Sequence, residues 1–151
     1  MKKLLLLFIP LMFFFSCELF EEEEEVCTGN ATSDLVVGTW ETNTIFYYYT
    51  NGDLYNCVNI CNSSNNLCAD NECITSTYNC DGTYTNSLGE SGTWSYDPQG
   101  DVFTSIGPQG TFYSYPTTLN STHMVMEADL VLVEENGNQF NVLAISSATR
   151  Q

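Results

Sequence analysis

Seven cysteines and a single histidine are the residues of this 151-residue chain best suited to covalent or metal chemistry. Six of the cysteines are Cys27, Cys57, Cys61, Cys68, Cys73 and Cys80, and the last five crowd into residues 57–80. In a reducing compartment such a cluster points to a metal, and in an oxidising one to disulfides. The cluster has no C-x-x-C pair and no neighbouring histidine, which argues against zinc. His123 lies between Thr122 and Met124, and no nucleophile motif accompanies it, so a structural role is expected rather than that of a base. The pairs Asp97/Asp101 and Asp70/Glu72 lack the ligand density of a calcium loop. The expected chemistry is therefore disulfide formation, with no catalytic residue, no metal and no cofactor.

The compartment is decided by the first residues. Residues 1–16 carry Lys2 and Lys3, then an apolar run over 4–15 broken only by Pro10. That run falls short of the roughly 20 residues a membrane span needs, and it fits a secretory signal peptide. Phe14 is too bulky for the small residue that ordinary signal peptidase prefers, whereas Ser16 is small and stands directly before Cys17. A small residue before cysteine at the end of an apolar run resembles a bacterial lipobox. That resemblance implies that Cys17 is the lipid attachment site, acylated with palmitate-type chains after cleavage. Two or three chains, at about 0.8 kcal/mol per buried CH₂, make a stable anchor. The alternative is a plain secreted protein whose Cys17 pairs with another thiol. With Cys17 acylated, six cysteines remain and an odd number lies in 57–80. If all six pair, one of the cluster must therefore join Cys27.

The formal net charge is −16, with three basic residues against 19 acids. Such a surface repels phosphate backbones and excludes nucleic acid as a partner. Residues 21–25 are all glutamate, a like-charge block that stays extended. Residues 17–34 are thus expected to be an acidic disordered tether. Acidic runs just after the anchor also resemble the export signals of surface lipoproteins in some Gram-negative bacteria. The expected location is the outer membrane, lipid-anchored, facing either the periplasm or the outside.

Residues 35–151 change character. Short runs rich in Val, Ile, Thr, Tyr, Phe and Trp alternate with Gly, Asn, Asp and Pro. Strands are expected over residues 36–50, 74–80, 83–88, 92–96, 102–106, 111–115, 123–133 and 140–148. Asp81-Gly82 and Asn136-Gly137 are two-residue hairpin signals, and the D-P-Q-G and G-P-Q-G runs at 97–100 and 107–110 suit β-turns. About eight antiparallel strands make an all-β barrel or sandwich.

Period-two alternation assigns faces. Trp40, Thr42, Thr44, Phe46 and Tyr48 share one side of the first strand, as do Tyr84 with Asn86, Trp94 with Tyr96, Met124 with Met126, and Phe140 with Val142 and Ala144. These sets are expected to form the interior. Phe46, Tyr84, Trp94, Tyr96, Met124, Met126 and Phe140 would then line a cavity for a small apolar ligand. Ile45, Tyr47 and Tyr49 lie on the opposite face, either under a loop or as a surface patch.

The run Leu35-Val36-Val37-Gly38-Thr39-Trp40 resembles the G-x-W opening of lipocalins. Tyr78 to Thr85, with its D-G-T-Y hairpin, then Gly92-Thr93-Trp94, resemble the lipocalin-like lipoproteins of bacteria. The closing Thr122 to Glu127 and Ala148-Thr149-Arg150 fit the same pattern. The resemblance implies a small up-and-down antiparallel β-barrel, with Trp40 plugging one end and Arg150 packed over it. It also implies ligand binding inside the barrel. The rival expectation is an interaction module whose barrel is filled by its own aromatics. Residues 51–73 depart from the family as a cysteine-rich insertion.

Overall fold

The computed structural model describes Cys27 and residues 30–134 and 136–151. The expected signal peptide, Cys17 and the glutamate run lie outside the described residues.

The fold is a closed, eight-stranded antiparallel barrel with a two-strand appendage. Its staves are β1 (Gly38–Tyr49), β4 (Thr75–Tyr78), β5 (Thr83–Asn86), β6 (Ser91–Asp97), β7 (Val102–Gly107), β8 (Gly110–Leu119), β9 (His123–Val133) and β10 (Gln139–Arg150). Sequential strands pair as neighbours, and β10 closes the ring on β1. All eight expected strands are present. Gly82 and Gly137 take positive φ values of 79° and 87°, the left-handed conformation that their hairpin turns require and that glycine adopts without a Cβ clash.

Three elements fall where no strand or helix is expected. A short helix, α1 (Ala31–Val36), precedes the barrel. It overlaps the end of the expected tether and the first residue of the expected first strand. The Asn30 side chain caps it, accepting from the amides of Thr32 and Ser33 at 2.9 and 3.1 Å. Six residues are too few to be helical alone, and α1 holds because Val36 is fully buried under the barrel. In the cysteine-rich insertion, β2 (Leu54–Asn59) forms a hairpin with β1, and β3 (Ala69–Asp70) adds a short parallel pairing to β2.

β1 is shared between two neighbours on one side. Its first residues, Gly38 to Glu41, pair with β4, whereas Thr44 to Tyr48 pair with β2. The change of partner coincides with a β-bulge. On the β10 side Thr42 faces Ala148, but Thr44 faces Ser147, so Asn43 is the extra residue. Its carbonyl accepts from the amide of Ile60 at 2.7 Å. Because side chains alternate, one inserted residue exchanges the faces beyond it.

The bulge corrects the face assignment of β1. Directly opposed residues share a face, and Phe46 and Tyr48 oppose Ile145 and Leu143, on the outer side of β10. Ile45, Tyr47 and Tyr49 oppose Ser146, Ala144 and Val142, on its inner side. Trp40 and Thr42 point inward as expected; Thr44, Phe46 and Tyr48 point out. Phe46 therefore does not line the interior. Burial also pushes the Tyr47 phenol above its ordinary pKa.

Three disulfides hold the appendage and the chain's entry: Cys27–Cys80, Cys57–Cys68 and Cys61–Cys73. One cluster cysteine does join Cys27, and the other four pair locally. Buried Asn59 fastens the loop between β2 and β3, donating to the Asn65 carbonyl at 3.1 Å and to Asp70 at 3.0 Å. The insertion lies over the outer face of β1, where the Thr44 hydroxyl meets that of Ser63. It sheathes the wall on that side.

The barrel has two unlike poles. At the α1 pole lie the start of β1, the end of β10 and the Cys27–Cys80 bridge. At the opposite, distal pole lie the β1–β2 and β9–β10 turns.

Candidate functional site

The α1 pole is sealed by a stack of four groups. Trp40, 1% exposed, donates from Nε1 to the Val36 carbonyl at 2.7 Å. The Arg150 guanidinium lies over its ring, 5.3 Å from the centroid, within the roughly 6 Å reach of a cation–π contact. It also donates to the Val37 carbonyl. Gly38 explains the first letter of the G-x-W run. Its φ is +130°, and a Cβ there would come within 2.8 Å of the Arg150 guanidinium. Only glycine lets the arginine lie flat across the strand into the indole.

Above that plug the interior is packed with rings. Trp94, buried, stacks with Phe103 at 5.9 Å between centroids and donates to the Asn79 carbonyl at 3.1 Å. Tyr78 meets Phe103, Trp94 and Tyr84 at 5.5, 5.9 and 5.9 Å. Burial, then the neighbouring Tyr84 phenol, push the Tyr78 hydroxyl up to about 12. The Tyr84 ring lies across Gly92, where a Cβ would come within 2.7 Å of it. The Ile106 carbonyl oxygen comes closer still to that Cβ, so the neighbouring strand and the tyrosine together leave room only for glycine in the G-T-W run.

Beside the rings is a cavity of about 150 Å³, lined by Met124, Met126, Tyr78, Phe103 and small residues such as Ser105 and Ser146. Sites for drug-sized molecules begin near 300 Å³.

The seven residues expected to share one ligand site do not share one. Met124 and Met126 line the cavity. Tyr84 and Trp94 belong to the ring packing beside it. Tyr96 packs on the edge of the core, and its hydroxyl donates to Asp101, a hydrogen bond to the carboxylate that pushes its pKa up to about 12. Phe140 sits at the distal pole, where its ring meets Tyr49 and Tyr55 at 5.8 and 5.1 Å. Phe46 is on the outer wall beside Tyr48, with ring centroids 6.3 Å apart.

An open depression of about 390 Å³ touches Trp94 and Tyr96 at the α1 pole. Its walls are Asn30, Ser33, Asp81, Pro98 and the Cys80 end of the bridge, and neither methionine reaches it. Asp81 there accepts from the Thr83 hydroxyl and amide, which hold its carboxyl below the usual range.

A hollow of about 510 Å³ lies on the outer wall near the distal pole. Tyr48, Leu143 and Ile145 form its apolar floor, and Asp129 and Asn141 its polar side. Alternation alone misses it, because the bulge at Asn43 is what turns Tyr48 outward. The available signal was Asn51-Gly52, a hairpin pair directly after the first strand, which marks β2 and so a second partner for β1.

Buried Glu41 and the sulfurs of Cys61 and Cys73 lie within 4.8 Å of one another. The two sulfurs are bonded to each other, so this trio does not form a metal centre in the oxidised protein. Among the described residues no helix is long and apolar enough to cross a membrane. The chain matches no protein-family model, and no curated protein is significantly similar to it.

Proposed function

We propose that this chain is a lipid-anchored extracytoplasmic protein with a lipocalin-like barrel, acting as an interaction module rather than as a carrier of a small ligand. One observation carries the choice between these roles: the cavity between Met124, Met126, Tyr78 and Phe103 holds only about 150 Å³. Trp40, Trp94, Tyr78, Phe103, Met124 and Met126 fill the space that a carrier leaves for its cargo. The anchor rests on the lipobox resemblance at Cys17, and its location on the outer membrane on the acidic run behind it. Arg150 over Trp40 at the plugged end supports the likeness to lipocalins, although fold likeness alone does not assign a role. No catalytic constellation is needed for this reading, and the protein is expected to have no enzymatic activity.

Native mass spectrometry of the protein extracted from its own envelope tests the proposal. The expected spectrum shows acylation at Cys17, three disulfides and no retained small molecule. A stoichiometric organic ligand, displaced by Met126→Trp, would make the protein a carrier instead. A free Cys17 thiol would remove the anchor.

A further inference from the structure

We propose that the outer-wall groove near the distal pole docks a cationic protein segment, one whose lysine or arginine side chains stand beside aliphatic or aromatic ones. The inference rests on the reading of this domain as an interaction module, and names its surface and its partner's chemistry.

The outer wall here carries two successive cross-strand rows, and the second of them, with Ile145 of the first, lines the groove. Phe46 faces Ile145, which faces Glu127; two residues along, Tyr48 faces Leu143, which faces Asp129. Each row therefore runs aromatic, aliphatic, carboxylate across β1, β10 and β9. The two carboxylates point the same way on one strand, about 7 Å apart at two residues of strand rise. The apolar strip alongside them is continuous with the exposed Val131 and Tyr115 on the same outer face.

Among the described residues no lysine or arginine reaches those carboxylates. Arg150 is the only basic residue among the described residues, and it is held on Trp40 at the other pole. With 19 acids in the chain, a second copy or an anionic surface is repelled, whereas a basic partner is drawn in and oriented. An apolar strip beside uncompensated carboxylates matches a segment that offers both chemistries at once. Position agrees with this role. The Cys27–Cys80 bridge fixes the chain's entry at the α1 pole, so a membrane anchor upstream would hold the domain by that pole and leave the distal pole free for a partner.

The test is amide chemical-shift mapping on the whole mature chain, residues 17–151, with an acetylated and amidated Leu-Lys-Phe-Lys-Leu peptide as the probe. Shifts are expected at Tyr48, Asp129 and Leu143, and not at Trp40 or Arg150. Asp129→Lys and, separately, Leu143→Ser should each weaken binding about tenfold or more while circular dichroism stays unchanged. Replacing the five glutamates at 21–25 by glutamine should alter it by no more than about twofold, since a flexible charge run contributes only screened attraction. Loss of binding on that tether replacement, with Asp129→Lys and Leu143→Ser harmless, overturns the proposal. So does equal binding of the Leu-Glu-Phe-Glu-Leu peptide, or groove shifts caused by a neutral oligosaccharide or by self-association and not by the lysine peptide. A ligand found inside the barrel by mass spectrometry would overturn the interaction-module reading separately, because its shifts would fall on Met124 and Met126.

Discussion

Aromatic residues crowd both poles of this barrel, and the two poles use them differently. At the α1 pole Trp40 and Trp94 are sealed, with each indole nitrogen donating to a backbone carbonyl. At the distal pole Tyr49 and Tyr55 pack around Phe140, yet stay 40% and 38% exposed. The sealed pole is covered by α1, by Arg150 and by the Cys27–Cys80 bridge, whereas the distal rings have only each other. Stability is therefore expected to concentrate at the first and recognition at the second.

The largest effect expected is from Trp40→Ala. It empties the most buried large side chain and leaves the Val36 carbonyl unsatisfied, costing about 5 kcal/mol in urea unfolding. A loss under about 2 kcal/mol would mean that the plug is not the core. Next comes the bridge at the same pole. Replacing Cys27 and Cys80 together by serine opens a loop with a sequence separation of 53, and should cost about 4 kcal/mol. Opening Cys57–Cys68, with a separation of 11, should cost less, about 3 kcal/mol.

Alkaline titration sharpens the comparison. The Tyr78 pKa is raised in the folded state, from 10.0 to about 12. A raised pKa contributes stability that is complete below the unfolded value and is lost as pH rises through the folded one. Stability should thus fall between pH 10 and about 12, by up to about 3 kcal/mol. Tyr78→Phe should flatten that limb in denaturant curves recorded across the range. Arg150→Gln loses the cation–π contact and should cost about 1–2 kcal/mol, with Trp40 fluorescence reporting the change. Smallest is Tyr55→Ser at the distal pole, expected at about 1 kcal/mol or less because the ring is already part exposed. A cost there equal to that of Trp40→Ala would erase the distinction between the poles.

Much of the barrel was legible in the sequence. The eight strand segments show in their β-branched and aromatic runs, and the hairpins at Gly82 and Gly137 in residues that tolerate positive φ. Cysteine parity pointed to the link between Cys27 and the cluster. The rest was not legible for specific reasons. α1 is shorter than two turns, so no helical period could reveal it. β2 hid in the insertion because its cysteines read as a loop framework. Phe46 was assigned to the wrong side because period-two reasoning assumes an unbroken ladder, and nothing local marks Asn43 as the residue that breaks it.

The sequence by itself determined the eight barrel strands, the disulfide chemistry and the acidic surface, because these depend on residue type, parity and order along the chain, whereas the pairing of Arg150 with Trp40 came from the family resemblance. The tertiary structure alone decided which aromatics face inward and how much room they leave. Both depend on where β1 exchanges β4 for β2, and that exchange is set by backbone hydrogen bonds between residues distant in sequence. One bulged residue thus turned Phe46 and Tyr48 from the inside of the barrel to its outer wall.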